Sequence, residues 1–179
     1  MTEWRLATHN DKRLLQGFNC ADPEGSRYDP LLRMRTHSEP WAVEVQKGLR
    51  KWGYRIAGAE MWLGFEGAEL VSAGAYAQAF DGSQPLDIFQ IGYVACAYEW
   101  RGRRLGDDCL SQLLADIRLR TEMRDGVLLT ADVHEKNQAS QKLFQRFGFA
   151  RNDVFTAQIR EGSGKRRSGG QYGVWLAQL

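Results

Sequence analysis

The chain has 179 residues, of which 43% are hydrophobic and 26% charged, as in a globular protein with a sizeable core. The formal net charge is only +2, which argues against general nucleic-acid binding. No apolar run approaches the roughly 20 residues that a membrane span needs, and the N-terminus lacks the apolar core of a signal peptide. We therefore expect a single domain over residues 1–179 that resides in the cytoplasm and has no membrane partner.

Three cysteines are present, Cys20, Cys96 and Cys109. Their number is odd and their spacing fits no metal site, so the sequence predicts free thiols and no bound metal.

The first part of the chain predicts a strand at residues 4–8, a short helix at 12–18 and a loop at 20–28. A second helix begins near Pro40. Its residues Trp41, Val45, Leu49 and Trp52 recur at spacings of four, four and three, which places them on one apolar stripe. This period favours core packing for both tryptophans over a role facing a substrate.

The middle of the chain predicts two antiparallel strands at residues 61–65 and 69–80, followed by a longer strand at 86–97. The alternating faces of the long strand are both mostly apolar, with Leu86, Ile88, Val94 and Cys96 on one and Phe89, Ile91, Tyr93 and Ala95 on the other. This pattern is typical of a central strand that is covered on both sides.

The second half predicts a helix at residues 104–123 and a buried strand at 127–133, joined to the strand at 86–97 as a right-handed crossover. A helix at 137–146, a strand at 149–159, a hairpin loop at 161–170 and a last strand at 171–176 complete the chain. The sum is an α+β fold with a mixed, mostly antiparallel sheet and helices on both faces.

A basic turn separates the strand at 86–97 from the helix that follows it. Residues 100–106 read Trp-Arg-Gly-Arg-Arg-Leu-Gly. A turn in this place directs several backbone N–H groups to one point at the positive end of the helix dipole, which suits a phosphate or pyrophosphate.

A second motif lies about thirty residues further on. Asn137 and Ala139 precede the run Leu-Phe-Gln-Arg-Phe-Gly-Phe at residues 143–149. Together with the basic turn and the strand between them, this motif resembles the core of the GCN5-related N-acetyltransferase (GNAT) family. The family's pyrophosphate loop has the pattern Arg/Gln-x-x-Gly-x-Gly/Ala. Residues 101–106 match it at both ends, whereas Arg104 stands at the middle glycine.

The resemblance implies a GNAT-like fold that binds acetyl-CoA as co-substrate and transfers its acetyl group to a primary amine. In the family the cofactor lies between the strands that correspond to residues 86–97 and 127–133, and a backbone N–H near Val94 or Cys96 stabilises the oxyanion. The implied cofactor-binding residues are Val94, Ala95, Cys96, Arg101, Gly102, Arg103, Arg104, Leu105, Gly106, Asn137 and Phe144.

The family's general acid is often a tyrosine that follows the leucine of the second motif, and Phe144 stands there. Three interpretations remain open. The thiolate of coenzyme A leaves unaided, since a free thiol has a pKa of about 8.5. Another tyrosine supplies the proton, with Tyr93, Tyr98 and Tyr172 as candidates. Alternatively, catalysis is lost and the chain is a non-catalytic coenzyme A-binding or protein-interaction module.

The general base is also open, because Gln90 stands near the glutamate that family members commonly carry midway along this strand. Candidates are Asp87, Glu99, Asp132, His134 and Glu135. His134 titrates near neutral pH and, with Glu135, follows the strand at 127–133, where the sheet of this family splays. His134, Glu135 and Tyr98 are therefore the predicted catalytic residues, and a surface-loop histidine is the alternative for His134. A covalent route through Cys96 lacks an evident partner base.

The acceptor amine belongs to a small molecule, a peptide or a protein. The variable region at residues 19–54 and the cluster Lys165-Arg166-Arg167 in the hairpin loop are where we expect it to bind. Arg33, Arg35 and this cluster favour an acidic acceptor, although solvated loops would have the same composition. The sequence leaves a homodimer open.

Overall fold

The computed structural model describes residues 2–52, 58–152 and 172–179. Most of the predicted elements are present there with shifted ends. The strands are β1 (Glu3–Leu6), β2 (Ser26–Asp29), β3 (Met34–His37), β4 (Ala59–Glu66), β5 (Glu69–Asp81), β6 (Gln84–Cys96), β7 (Leu128–His134), β8 (Ala150–Asn152) and β9 (Tyr172–Gln178). The helices are α1 (Lys12–Gly17), α2 (Pro40–Arg50), α3 (Leu105–Arg120) and α4 (Gln138–Arg146).

One seven-stranded sheet has the order β1-β4-β5-β6-β7-β9-β8. Its neighbours are antiparallel except β6 and β7, which pair in parallel from Ile88 opposite Leu128 to Ile91 opposite Ala131. The mixed, mostly antiparallel α+β fold is confirmed. The parallel pair requires a crossover, and α3 supplies it.

Helices cover both faces of the sheet, as predicted. The side chains of α3 and α4 form one core cluster with Phe89, Leu129 and Trp175. Those of α1 and α2 form a second cluster on the other face, with Ala73 and Ala75 of β5. On the α3 side, Gly74 allows close approach, since a Cβ there would lie 2.5 Å from the Cys109 sulfur.

The predicted alternation along β6 is wrong beyond Ile91. Tyr76 pairs with Ile91, whereas its neighbour Ala75 pairs with Tyr93, so Gly92 is an extra residue that forms a β-bulge. The bulge exchanges the two faces. Phe89 and Ile91 therefore pack in the α3 cluster together with Val94, and Tyr93 and Ala95 pack on the other side.

Two further differences concern segments outside the main sheet. The predicted loop at residues 20–28 runs into a two-stranded ribbon in which β2 pairs with β3. The predicted hairpin loop at 161–170 and most of the predicted strand at 149–159 lie outside the described residues. Of the helices within the described ranges, none is long and apolar enough to cross a membrane.

A buried polar cluster joins α3 to the sheet. The carboxylate of Asp116 accepts hydrogen bonds from the Tyr76 hydroxyl at 2.6 Å and from the Trp62 indole at 3.0 Å. It also pairs with Arg120 at 3.1 Å, and Arg120 in turn pairs with Glu60 on β4. Burial and the neighbouring Asp116 raise the pKa of Tyr76. The cluster fixes the position of α3 against β4 and β5.

Candidate functional site

The sheet opens between β6 and β7. Their parallel pairing ends at Ile91 and Ala131, but β6 continues to Cys96 and β7 to His134. The bulge at Gly92 lies where this separation begins. Bulges bend and twist the strand that carries them, which accounts for the divergence. The result is a gap whose walls are backbone as well as side chains.

Two backbone N–H groups of β6 point into this gap. The Ala97 N–H donates to the Val71 carbonyl oxygen of β5 at 2.8 Å, and Ala95 lies opposite Ala73. Bonded N–H groups alternate along an antiparallel pair. Those of Val94 and Cys96 therefore face away from β5, toward the gap.

The turn before α3 adds further donors. Gly102 and Arg104 both have left-handed backbone angles, with φ of 82° and 61°. Arg104 is the residue that precedes the first turn of α3, and no side chain caps this end of the helix. The first N–H groups of a helix have no partner within it. Their positive end is consequently left open for an anion.

The three arginines of the turn have different surroundings. The guanidinium of Arg101 binds both carboxylate oxygens of Glu39 at 2.8 and 3.1 Å and the Cys20 carbonyl at 2.6 Å. Arg103 stacks over the Trp100 ring at 4.4 Å. Arg104 lines the cavity between the turn and α4, whereas Arg103 lines a different hollow. Arg101 joins the turn to the beginning of α2 through Glu39.

Arg104 occupies a conformation that favours glycine. The left-handed region strains any residue with a Cβ. We expect Arg104→Gly to raise the free energy of unfolding by about 0.5–1 kcal/mol. Urea denaturation measures this change. Arg103→Gly is the matched control, because Arg103 does not have a positive φ. Arg103→Gly removes the contact with Trp100 and should lower the free energy of unfolding. Equal effects of the two substitutions would contradict the assignment of strain to Arg104.

Two cavities meet in the gap. The loop-side cavity, of about 490 Å³, is lined by the 101–106 turn, the end of β6 and one face of α4. The gap-side cavity, of about 540 Å³, lies between β6, β7 and α2. Residues that line both are Trp41, Val45, Val94, Asn137 and Ser140. The predicted residues Val94, Ala95, Cys96, Arg101, Gly102, Arg104, Leu105, Gly106 and Asn137 all line the loop-side cavity, whereas Arg103 does not.

The start of α4 forms one wall where the cavities meet. Asn137 precedes the helix, and its side-chain oxygen accepts the Ser140 N–H at 3.0 Å. Phe144 is 5% exposed and packs edge-to-face on Phe149, with ring centroids 4.9 Å apart. Phe144 lines the gap-side cavity rather than the loop-side one. The wall that it provides is apolar and offers no proton.

The cysteines at the site are poorly suited to act as nucleophiles. Burial raises the pKa of both Cys96 and Cys20 to about 11. At neutral pH these thiols stay protonated, and the thiolate is the reactive form. The covalent route through Cys96 therefore gains no support. Cys109 is buried against Gly74 and is a packing residue.

Two of the three predicted catalytic residues lie outside both cavities. Tyr98 follows β6 in a short turn, where the Arg101 guanidinium packs over its ring at 4.8 Å and the charge of Asp22 raises its pKa. Glu135 pairs with Arg151 at 3.1 Å. Neither side chain lines the gap. Their catalytic roles stay predictions that the geometry does not favour.

His134 does line the gap-side cavity, but its hydrogen bonding is wrong for a base. Its Nδ1 accepts the Lys136 N–H at 3.1 Å, so the proton of the neutral ring lies on Nε2. Among the described residues Nε2 has no hydrogen-bond partner. Burial lowers the pKa of His134, which favours the neutral ring. A base needs a free lone pair directed at the amine, and this tautomer offers none at Nε2.

Three further polar residues lie in the gap, of which sequence reasoning named Gln90 and Asp132 and missed Glu44. Gln90 donates to the Asp132 carboxylate at 3.3 Å, which places this carboxylate beside the glutamine. Glu44 also lines the cavity and accepts a hydrogen bond from the Tyr172 hydroxyl. Trp41 and Trp52 are half-buried and line it too. Trp52 also packs against the core cluster of α1 and α2, as predicted, whereas Trp41 belongs to neither core cluster of the described residues. The spacing of Trp41 and Glu44, three residues apart, places them on the same side of one helix, but no local signal indicated that this side lines a cavity.

Comparisons with known proteins agree with this geometry. The model of the acetyltransferase (GNAT) family matches residues 29–149, which is more than half of the chain. The chain belongs to the GNAT family. A search of curated proteins found no match.

Solved GNAT-type structures resemble the chain over nearly its whole length. PaiA N-acetyltransferase from Thermoplasma acidophilum, in complex with coenzyme A, has a TM-score of 0.63 at 10% identity, covering 100% of this chain and 99% of that one. An acetyltransferase from Thermus thermophilus has a TM-score of 0.61 at 17% identity, covering 100% and 97%. A GNAT-family acetyltransferase from Streptococcus pneumoniae has 0.62 at 14%, covering 100% of both. At such identities these likenesses establish the fold alone.

The loop of this GNAT protein fits a pyrophosphate despite its unusual arginine. Arg104 adopts a left-handed backbone angle, which a glycine at this position would adopt without strain. At Gly106 a methyl group would make ordinary contacts, 3.5 Å from Leu143 and 3.9 Å from the Cys96 sulfur. This position accepts glycine or alanine, as in the family pattern.

Proposed function

We propose that the protein is an acetyl-CoA-dependent N-acetyltransferase that acts on a primary amine by direct attack. The observation that carries this proposal is the gap beyond Ile91, with two inward N–H groups on one wall and the uncapped start of α3 at its mouth. Acetyl-CoA supplies the activated acetyl group when it is bound there.

The chain's own groups have the following roles in this proposal. The turn at residues 101–106 holds the pyrophosphate through its N–H groups and the Arg104 guanidinium. Leu105 and Leu143 provide apolar walls for the pantetheine arm. The N–H group of Val94 or that of Cys96 donates to the thioester oxygen, where negative charge develops; two residues apart on one strand, they do not share this oxygen.

Asp132 is the proposed proton acceptor. It is the carboxylate nearest to Gln90, at the level where family members commonly carry a glutamate. The amine nitrogen forms a bond to the acetyl carbon, the carbon–sulfur bond breaks, and the electron pair stays on sulfur. The amine proton passes to Asp132, directly or through water. The thiolate leaves without an acid from Phe144, which is acceptable because an ordinary thiol has a pKa of about 8.5.

The competing proposal is a non-catalytic module that binds coenzyme A in the same gap. The apolar Phe144 at the position of the usual acid favours it. Thiol release from acetyl-CoA with a panel of primary amines separates the two. We expect amine-dependent release that Asp132→Asn reduces by roughly 100-fold, within the usual range for a general base. Binding of acetyl-CoA without release for any amine would favour the module, and an absence of binding would contradict both.

A further inference from the structure

The gap-side cavity is acidic where the described residues form it. Two carboxylates line it, Glu44 and Asp132, and no lysine or arginine of the described residues does. Burial lowers the pKa of His134, which disfavours a positive charge on its ring. Of the described residues, an acceptor that enters this cavity therefore meets one carboxylate on α2 and another on β7. Arg33 and Arg35, which suggested an acidic acceptor, line neither cavity.

One of these carboxylates belongs to an aromatic cluster at the α2 side of the cavity. The Trp41 ring lies 4.8 Å from the His134 ring, and the Tyr172 ring lies 5.1 Å from it at nearly a right angle. The Tyr172 hydroxyl donates to Glu44. We call Trp41, Glu44, His134 and Tyr172 the aromatic–carboxylate cluster. Indole and phenol faces attract cations, and a carboxylate beside them strengthens this attraction.

The reacting amine cannot occupy this cluster. It must be neutral to attack, and the proposed acceptor of its proton is Asp132 on β7, beside Gln90. A cation held by the cluster would stay protonated. An acceptor occupies both the cluster and the reacting position beside Asp132 only when it carries two basic groups. One group binds at Glu44 as a cation, and the other gives its proton to Asp132.

We infer that the acceptor is an organic dication with an apolar linker, whose second cationic group binds the aromatic–carboxylate cluster. This inference rests on the proposed function, since it names the substrate class for the same site. The half-buried rings of Trp52 and Tyr93, with centroids 6.4 Å apart, also line this cavity and provide apolar surface for the linker.

Three probes of equal chain length test the inference. Cadaverine, pentylamine and 5-aminovalerate each carry a reacting amine on a five-carbon chain. The fifth carbon bears an ammonium in cadaverine, is an unsubstituted methyl in pentylamine and is the carboxylate carbon in 5-aminovalerate. We expect kcat/KM for acetyl transfer to be at least about tenfold higher for cadaverine than for pentylamine, from the cation–π and ionic contacts. The value for 5-aminovalerate should be the lowest. Equal values for cadaverine and pentylamine would overturn the inference.

A charge-neutral variant assigns the effect to the cluster. Glu44 is exposed, and Glu44→Gln keeps an acceptor for the Tyr172 hydroxyl, so the fold is retained. We expect it to lower kcat/KM for cadaverine about tenfold and to leave pentylamine within about twofold. Glu24→Gln, in an exposed loop that lines neither cavity, is the matched control and should change neither value. Equal losses for both amines in Glu44→Gln would overturn the inference.

Calorimetric titration of the three compounds into the protein with coenzyme A separates this inference from the proposed function. An absence of thiol release with every amine contradicts the proposed function alone. Cadaverine binding at least about tenfold more tightly than pentylamine still supports the cationic site in that case, and equal affinities overturn it.

Discussion

Reversal of the charge at Arg104 should raise the dissociation constant for acetyl-CoA by roughly 10- to 150-fold, the equivalent of one lost hydrogen bond to a charged group. The guanidinium lines the loop-side cavity at the open end of α3, and no ion pair neutralises it among the described residues. Arg104→Glu would place a carboxylate beside two phosphate charges. Isothermal calorimetry with acetyl-CoA measures the change, and lower salt should enlarge it because less screening applies.

The neighbouring arginine provides the control. Arg103→Glu introduces the same charge one residue away, but the Arg103 side chain stacks on Trp100 and lines a different hollow. We expect its effect on the dissociation constant to stay within about threefold, as for a solvent-screened charge. Similar losses for both variants would show that only the overall charge of the turn matters. That result would contradict a specific role for Arg104.

Removal of the Asp116 carboxylate should lower the free energy of unfolding by about 3–5 kcal/mol. Asp116→Ala leaves the Tyr76 hydroxyl, on a residue only 2% exposed, without its acceptor, and Arg120 loses one of its two carboxylate partners. Such buried groups lose their interactions and regain no water. Urea denaturation followed by tryptophan fluorescence measures the loss.

Two comparisons make this stability prediction specific. Asp116→Asn keeps an oxygen acceptor for Tyr76 and should lose less than the alanine variant. Asp87→Ala removes a more exposed ion pair with Arg124, in which the side chains are 45% and 57% exposed. Exposed pairs contribute about 0–1 kcal/mol, so this variant should be nearly neutral. Equal losses at positions 87 and 116 would contradict the role given to burial.

The sequence predicted the order of the main elements because core residues repeat with the period of each element. The buried face of α3, with Cys109, Leu110 and Leu113, is as expected. The face assignment along β6 was wrong because a bulge depends on how β6 pairs with β5, which the sequence of β6 alone does not specify. Gly92 is the one residue of β6 that indicates a bulge. The ribbon β2–β3 was missed since its strands are short, polar and largely exposed.

The candidate site was predicted unevenly for a related physical reason. The 101–106 turn is local, and its residues carry the pattern themselves, so its position beside the gap followed from the motif. Glu44, on α2, lines the cavity by a long-range arrangement that no local spacing encodes. Trp41 illustrates the same limit, because helical periodicity identifies a face but not whether protein or a cavity covers it.

Hydrogen exchange at single amides tests the central claim most directly, namely that acetyl-CoA occupies the gap beyond Ile91. On addition of saturating acetyl-CoA we expect the amides of Val94, Cys96 and Gly106 to exchange at least about tenfold more slowly, since they gain partners. Ala97, whose N–H already donates to Val71, should change little in comparison. No slowing of exchange at Val94, Cys96 and Gly106, or equal slowing at Val94 and Ala97, would contradict the binding of acetyl-CoA in the gap.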